Sequence, residues 1–194
     1  MQAKFKTEHM KNIFITLGFI AIGTSLNAQI DISLNPVSIL FSSIDASAEF
    51  LIKEDIGMEA TLSYNFNDFS ASNVDYKSNG FGIRAIGKYY FNPDKGCDKW
   101  SIGPYMKYAY RSSETIDGSI NNTATYKRFA VGFYTGYKWV SRKNIIFELG
   151  FGLGRAFLNE WTSNDETLDL GDFPIFNLDG IGRLSIGYRF GGNK

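Results

Sequence analysis

An all-β fold, eight antiparallel strands closed up-and-down into a transmembrane barrel, is predicted by three observations on this 194-residue chain. Apolar residues alternate with small or polar ones through segment after segment, the two-residue period of a strand. Short and long connections alternate between those segments. The apolar face carries aromatic residues toward both ends and aliphatic ones between them, the pattern of a wall that meets lipid.

The chain divides into 1–28 and 29–194. Lys4, Lys6 and Lys11 flank or precede the apolar run Ile13 to Ile22, and Leu26-Asn27-Ala28 offers the small and apolar residues that a signal peptidase reads. Residues 1–28 are therefore expected to be a signal peptide cleaved before Gln29, with Met10 an alternative start. The run is shorter than the roughly 20 residues a spanning helix needs. Of the 20 basic and 20 acidic residues, three (the lysines above) and one (Glu8) leave with the signal, so the remainder carries a formal charge of −2. That balance offers nothing to nucleic acid. His9 is the only histidine and also departs; Cys97 is the only cysteine, so no internal disulfide forms and an intermolecular thiol is its one sharper reading.

Eight strands are expected in 29–194. Ile30 to Phe41 is the first, with a bulge at Pro36 resetting its phase. Ile44 to Lys53 follows, and Glu54-Asp55 turns it into Ile56 to Phe66. A polar loop from Asn67 to Asn79 leads to Phe81 to Phe91, and a turn with Pro93 and Gly96 to Trp100 to Arg111. A second polar loop runs from Ser112 to Asn122. The clearest hairpin lies between Tyr126 and Phe157: Phe129, Val131, Phe133, Tyr137 and Trp139 alternate with Arg128, Gly132, Tyr134, Gly136 and Lys138, and Ser141-Arg142-Lys143 leaves room only for a tight reversal. A long acidic loop from Asn159 to Asp179 precedes the last strand, which ends in Leu184, Ile186, Tyr188 and Phe190. Apart from the first, the odd-numbered connections are long and the even-numbered short, which segregates loops to one side and turns to the other.

With apolar residues facing lipid, the interior receives Glu49, Glu59, Arg84, Lys88, Lys107, Arg128, Lys138, Glu148 and Arg183. Eight strands enclose a space that side chains just fill. Buried charges must be paired, so a network is expected in which Glu49, Glu59 and Glu148 lie among Arg84, Lys88, Lys107, Arg128 and Arg183, with inward glycines making room. The competing readings are a gated conduit for small or amphipathic solutes, a soluble lipocalin-like barrel with the faces inverted, and an open sandwich. Histidine-dependent hydrolases and acyltransferases are excluded once His9 is gone. Asp165, Asp169 and Asp172 place acidic oxygens in the last loop without matching a calcium-loop template. Lys127 and Arg155 fall on the outward face near its outer end, where they either snorkel into water or meet lipopolysaccharide phosphates.

The signal ending Leu26-Asn27-Ala28-Gln29, the first hairpin from Leu34-Asn35-Pro36-Val37-Ser38 to Phe50, and the terminal Leu184-Ser185-Ile186-Gly187-Tyr188-Arg189-Phe190-Gly191 resemble the small outer-membrane β-barrel proteins of Gram-negative bacteria, of the eight-stranded OmpA/OmpX type. The resemblance spans 29–194. It implies a cell outer-membrane location, contact with outer-membrane lipid and lipopolysaccharide, and a structural, surface-interaction or porin-like role without enzyme chemistry or cofactor. It also implies delivery by the barrel-insertion machinery, with Phe190 as the terminal aromatic, although Gly191 to Lys194 follow it. No wall-anchoring domain is expected after the barrel.

Overall fold

The computed structural model describes residues 29–71, 74–117, 120–163, 166–169 and 177–191. The expected signal peptide and two of the acidic-loop residues, Asp165 and Asp172, lie outside them. The strands are β1 (Ile30–Asn35), β2 (Ser43–Lys53), β3 (Ile56–Ala71), β4 (Val74–Tyr90), β5 (Lys99–Asp117), β6 (Ile120–Val140), β7 (Ile145–Ser163), β8 (Glu166–Asp169) and β9 (Leu178–Phe190). Each strand of the ring pairs antiparallel with its neighbour from β6 through β5, β4, β3, β2 and β1 to β9 and β7, and β6–β7 pairing closes it. Eight strands thus form a barrel with no free edge at its waist. β8 is a spur that pairs with Glu160 to Ser163 at the top of β7.

Side chains sort onto the two faces by alternation. Leu62, Phe133, Leu153 and Phe157 are 60–71% exposed, while Glu59, Lys88 and Glu148 on the opposite face are at most 1% exposed. A soluble lipocalin-like barrel requires the reverse, so that alternative is overturned, and the closed ring rules out the open sandwich. Rings cluster at both margins of the apolar band. Tyr89–Phe91, Trp100–Tyr137, Tyr137–Trp139, Trp139–Phe147 and Tyr188–Phe190 pack with centroids 4.5–6.1 Å apart at the end of the tight turns. Phe81 packs with Tyr108 and Tyr110 toward the other end. Rings with one wet edge favour such interfaces.

Two expectations about the connections are corrected. Pro36 does not bulge a continuing strand: Pro36–Phe41 forms a 3₁₀ helix, η1, ending at Ser42 with φ 53°. Proline lacks the N–H a strand would donate and fixes φ for the first helical position, so β1 stops at Asn35. The loops expected at Asn67–Asn79 and Ser112–Asn122 are mostly ladder, continuing to Ala71↔Val74 and Asp117↔Ile120. These upper strands hold few apolar residues, so no two-residue contrast marks them. β5 and β6 reach 19 and 21 residues, whereas a bilayer takes about 9–11 per strand. β1 and β2 stop lower, and β9 pairs with β1 only from Ile186 down. Above Asn35 the β9 edge is met instead by η1 and by Asn35 Oδ1, which accepts from Leu184 N–H at 3.4 Å.

A charge at the middle of the lipid face costs about 2–4 kcal/mol. Phe133→Arg is therefore expected to lower the stability of the barrel in lipid vesicles by about that amount, read as a shift of the urea unfolding midpoint. A soluble surface position would show almost none.

Candidate functional site: the charged bore and its vestibule

The inner residues of β1, β2, β3, β4, β6, β7 and β9 meet at one level as a charge cluster. Lys88 Nζ sits at its centre, 2.9 Å from Glu49 Oε2, 2.7 Å from Glu59 Oε2 and 2.6 Å from Glu148 Oε1. Lys138 Nζ lies 2.6 Å from Glu49 Oε2 and 2.9 Å from Asp31 Oδ2. Arg183 donates to Glu59 and lies 3.3 Å from Glu148 Oε2. Arg189 Nε and Nη2 grip the two Asp31 oxygens at 2.7 and 2.8 Å. Four acids (Asp31, Glu49, Glu59, Glu148) thus face four bases (Lys88, Lys138, Arg183, Arg189), a neutral set in which every charge has a direct partner.

Hydroxyls complete the shell. Tyr90 Oη donates to Glu49 at 2.6 Å, Tyr134 Oη to Glu148 at 2.8 Å and Thr61 Oγ1 to Glu59 at 3.0 Å. Oxygens of Glu49, Glu59 and Glu148 all lie within 4.8 Å of one another, a spacing that suits a metal ion. Lys88 Nζ already occupies that centre. The cluster is also capped below: Arg189 donates to the carbonyls of Lys95 and Cys97 at 2.5 and 2.8 Å, so the turn after β4 folds beneath the bore. Cys97 in that turn is 1% exposed, and burial raises its thiol well above the ordinary range. An intermolecular disulfide at Cys97 is therefore not available to the folded chain.

Above the cluster, Ile86, Tyr105, Tyr134 and Ile181 form a buried apolar group. On β4 the inward order is Lys88, Ile86, Arg84, and on β9 it is Arg183, Ile181, Asp179, so, with Arg183 alone of the cluster reaching the cavity wall, this layer lies between most of the cluster and what lies above. There a cavity of about 860 Å³ opens, lined in part by Arg84, Lys107, Arg111, Arg128, Asp45 and Asp179. Asp179 Oδ1 meets Lys107 Nζ at 2.7 Å and Arg128 Nε at 3.1 Å, and Tyr105 Oη donates to its other oxygen at 2.8 Å.

The residues expected to form one network are therefore in two tiers. Glu49, Glu59, Lys88, Glu148 and Arg183 come together. Lys107 and Arg128 are drawn away to Asp179, and Arg84 makes no ion pair among the described residues. Asp31, Arg189 and Asp179 were missing from the expectation, yet their parity gave a signal: Asp31 sits between Ile30 and Ile32, and Asp179 and Arg189 share the odd positions of Arg183. The inward glycines make room mainly for tyrosines. A Cβ at Gly150 would collide with Tyr134 Oη, and one at Gly154 would fall 2.5 Å from Tyr105 Oη. Lys127 and Arg155 are exposed on the outer face, opposite Glu160 and Val131 respectively in the β6–β7 ladder.

Removing one member of a buried ion-pair cluster costs about 3–5 kcal/mol because the rest is left uncompensated. Lys88→Met leaves three carboxylates facing one another, and the expected result is a loss of about that size in vesicle unfolding. Adding Glu148→Gln should restore part of it. A wild-type midpoint for Lys88→Met would contradict the cluster.

Comparison with known proteins agrees with this geometry at the level of fold. The structure resembles Ail, the attachment invasion locus protein of Yersinia pestis, at 11% identity and a TM-score of 0.51, covering 84% of this chain and 96% of that one. It resembles a major outer membrane protein of Thermus thermophilus at 11% identity and a TM-score of 0.55, covering 84% and 99%. At such identity the likeness is one of architecture: an eight-stranded barrel of the outer-membrane kind. No curated protein matches the chain by sequence. Residues 13–167 match a family model described as "Protein of unknown function (DUF3575)".

Proposed function

The chain belongs to the DUF3575 family, whose function is unknown, and we propose that it serves as a non-enzymatic outer-membrane barrel with a closed bore, acting at the cell surface. The neutral four-by-four charge cluster carries this reading. An ion crossing the barrel would have to displace buried pairs and then pass both the apolar layer and the turn that caps the bore. Displacing such pairs strands charges in a medium where they are costly.

The shape supports a surface role. β3 to β7 rise well past the height a bilayer requires, by on the order of 20–30 Å for the longest, and present polar hairpins above the apolar band. The lipid-facing wall and the expected signal peptide support an outer-membrane location, in which the short turns face the periplasm and the tall hairpins the exterior. Phe190, whose ring packs against Tyr188 at the turn end of β9, is the residue we assign to recognition by the insertion machinery.

In a planar bilayer the folded protein is expected to give no stable open-channel steps, and well-resolved steps would favour the alternative, a narrow channel for small solutes. Lys127 and Arg155 are proposed contacts for lipopolysaccharide phosphates at the outer interface. Reversing both charges, Lys127→Glu with Arg155→Glu, is expected to reduce the lipopolysaccharide that co-purifies, and an unchanged amount would remove that assignment.

A further inference from the structure

The cavity above the apolar layer has a one-sided wall of positive charge. Arg84 of β4 and Lys107 of β5 are ladder partners, directly opposite on the inner face. Arg128 of β6 stands opposite Ala109, the next inward position of β5. Like charges directly opposite in a sheet repel. Asp179 answers Lys107 and Arg128 but not Arg84. Arg84 is only 9% exposed; among the described residues its Nε has no hydrogen-bond partner, and Nη2 reaches Thr61 Oγ1 at a long 3.4 Å, through which it faces Glu59 indirectly. Arg111 adds a further cation to the lining and Asp45 the second carboxylate, so among the described residues the cavity wall keeps an excess of positive charge. The cluster below it, in contrast, is matched charge for charge.

A buried guanidinium is costly when nothing completes it, and its planar fork fits a tetrahedral oxyanion in two contacts. A multivalent anion would relieve the Arg84–Lys107 repulsion and satisfy the fork together. We propose that this wall is a binding site for a phosphoryl group, seated on Arg84 and Lys107 with Arg128 at its edge. Two sources can present that group. A soluble phosphorylated solute would enter by the mouth between the tall strands. A phosphorylated lipid would bring its head group past η1, which packs beside the β9 edge above Asn35 and lines the cavity with Val37 and Phe41.

The test is calorimetric titration of the full folded protein in detergent with inorganic pyrophosphate and, separately, with dihexanoyl phosphatidic acid. Saturable binding of at least one is expected; pyrophosphate alone identifies the soluble source and the lipid alone identifies the head group. Arg84→Gln is expected to weaken binding roughly tenfold or more, the worth of one charge-assisted contact. It should leave the anion-free unfolding midpoint unchanged or higher, because it removes a repulsion. Asp179→Asn, which withdraws the competing carboxylate, is expected to tighten binding and serves if Arg84→Gln folds poorly. No saturable binding of either probe, binding that Arg84→Gln leaves intact, or binding that Asp179→Asn fails to tighten overturns the proposal.

Discussion

The contact of Lys88 with three carboxylates is the interaction on which the rest of this interior depends. Each carboxylate comes from a different strand: Glu49 from β2, Glu59 from β3 and Glu148 from β7, with Lys88 itself from β4. The ammonium therefore ties one arc of the ring to the opposite arc across the bore. A barrel wall must alternate, so whatever faces away from lipid faces the bore, and an eight-stranded bore is too narrow to leave those groups to bulk water. Polar wall residues then have two options, pairing or neutrality. This chain pairs them, and the equality of four acids and four bases lets the set close without solvent.

The remaining volume is filled by a second device. Tyr105 and Tyr134 lie flat against β6 and β7, over glycines whose missing Cβ atoms are what makes the approach possible. The hydroxyls then serve the two tiers separately, Tyr134 on Glu148 in the cluster and Tyr105 on Asp179 above it. One tyrosine pair thus forms part of the apolar layer and links it to the charges on each side. Above that layer Arg84 has no ion-pair partner among the described residues, and this gives the upper cavity a chemical character the cluster lacks.

The wall was largely legible in the sequence, because two-residue alternation is a direct consequence of one apolar and one filled face. Phe133, Leu149 and Leu153 could be placed by counting. What alternation cannot supply is height. Lys138 meets Asp31, 107 residues away, and Lys107 passes over the glutamates to reach Asp179, because strand tilt and stagger decide which inward residues share a level. Parity assigns a face and says nothing of the stagger. The upper hairpins were hidden for a different reason: polar on both faces, they lack the contrast that marked the rest. At η1 the apolar residues Val37, Ile39 and Phe41 kept a strand-like period while Pro36 had already ended the strand, so local chemistry overrode the pattern.

The proposed closed bore rests on buried, mutually paired charges. Ammonium-detected NMR of the detergent-folded protein, following hydrogen exchange of lysine Nζ groups near neutral pH, tests it most directly. Lys88 and Lys138 alone among the lysines are expected to give protected, slowly exchanging signals, with Lys138, left with Asp31 alone, exchanging faster when Glu49 is replaced by Gln. Exchange of both at the rate of exposed lysines would contradict it, since that requires water in contact with the centre of the bore.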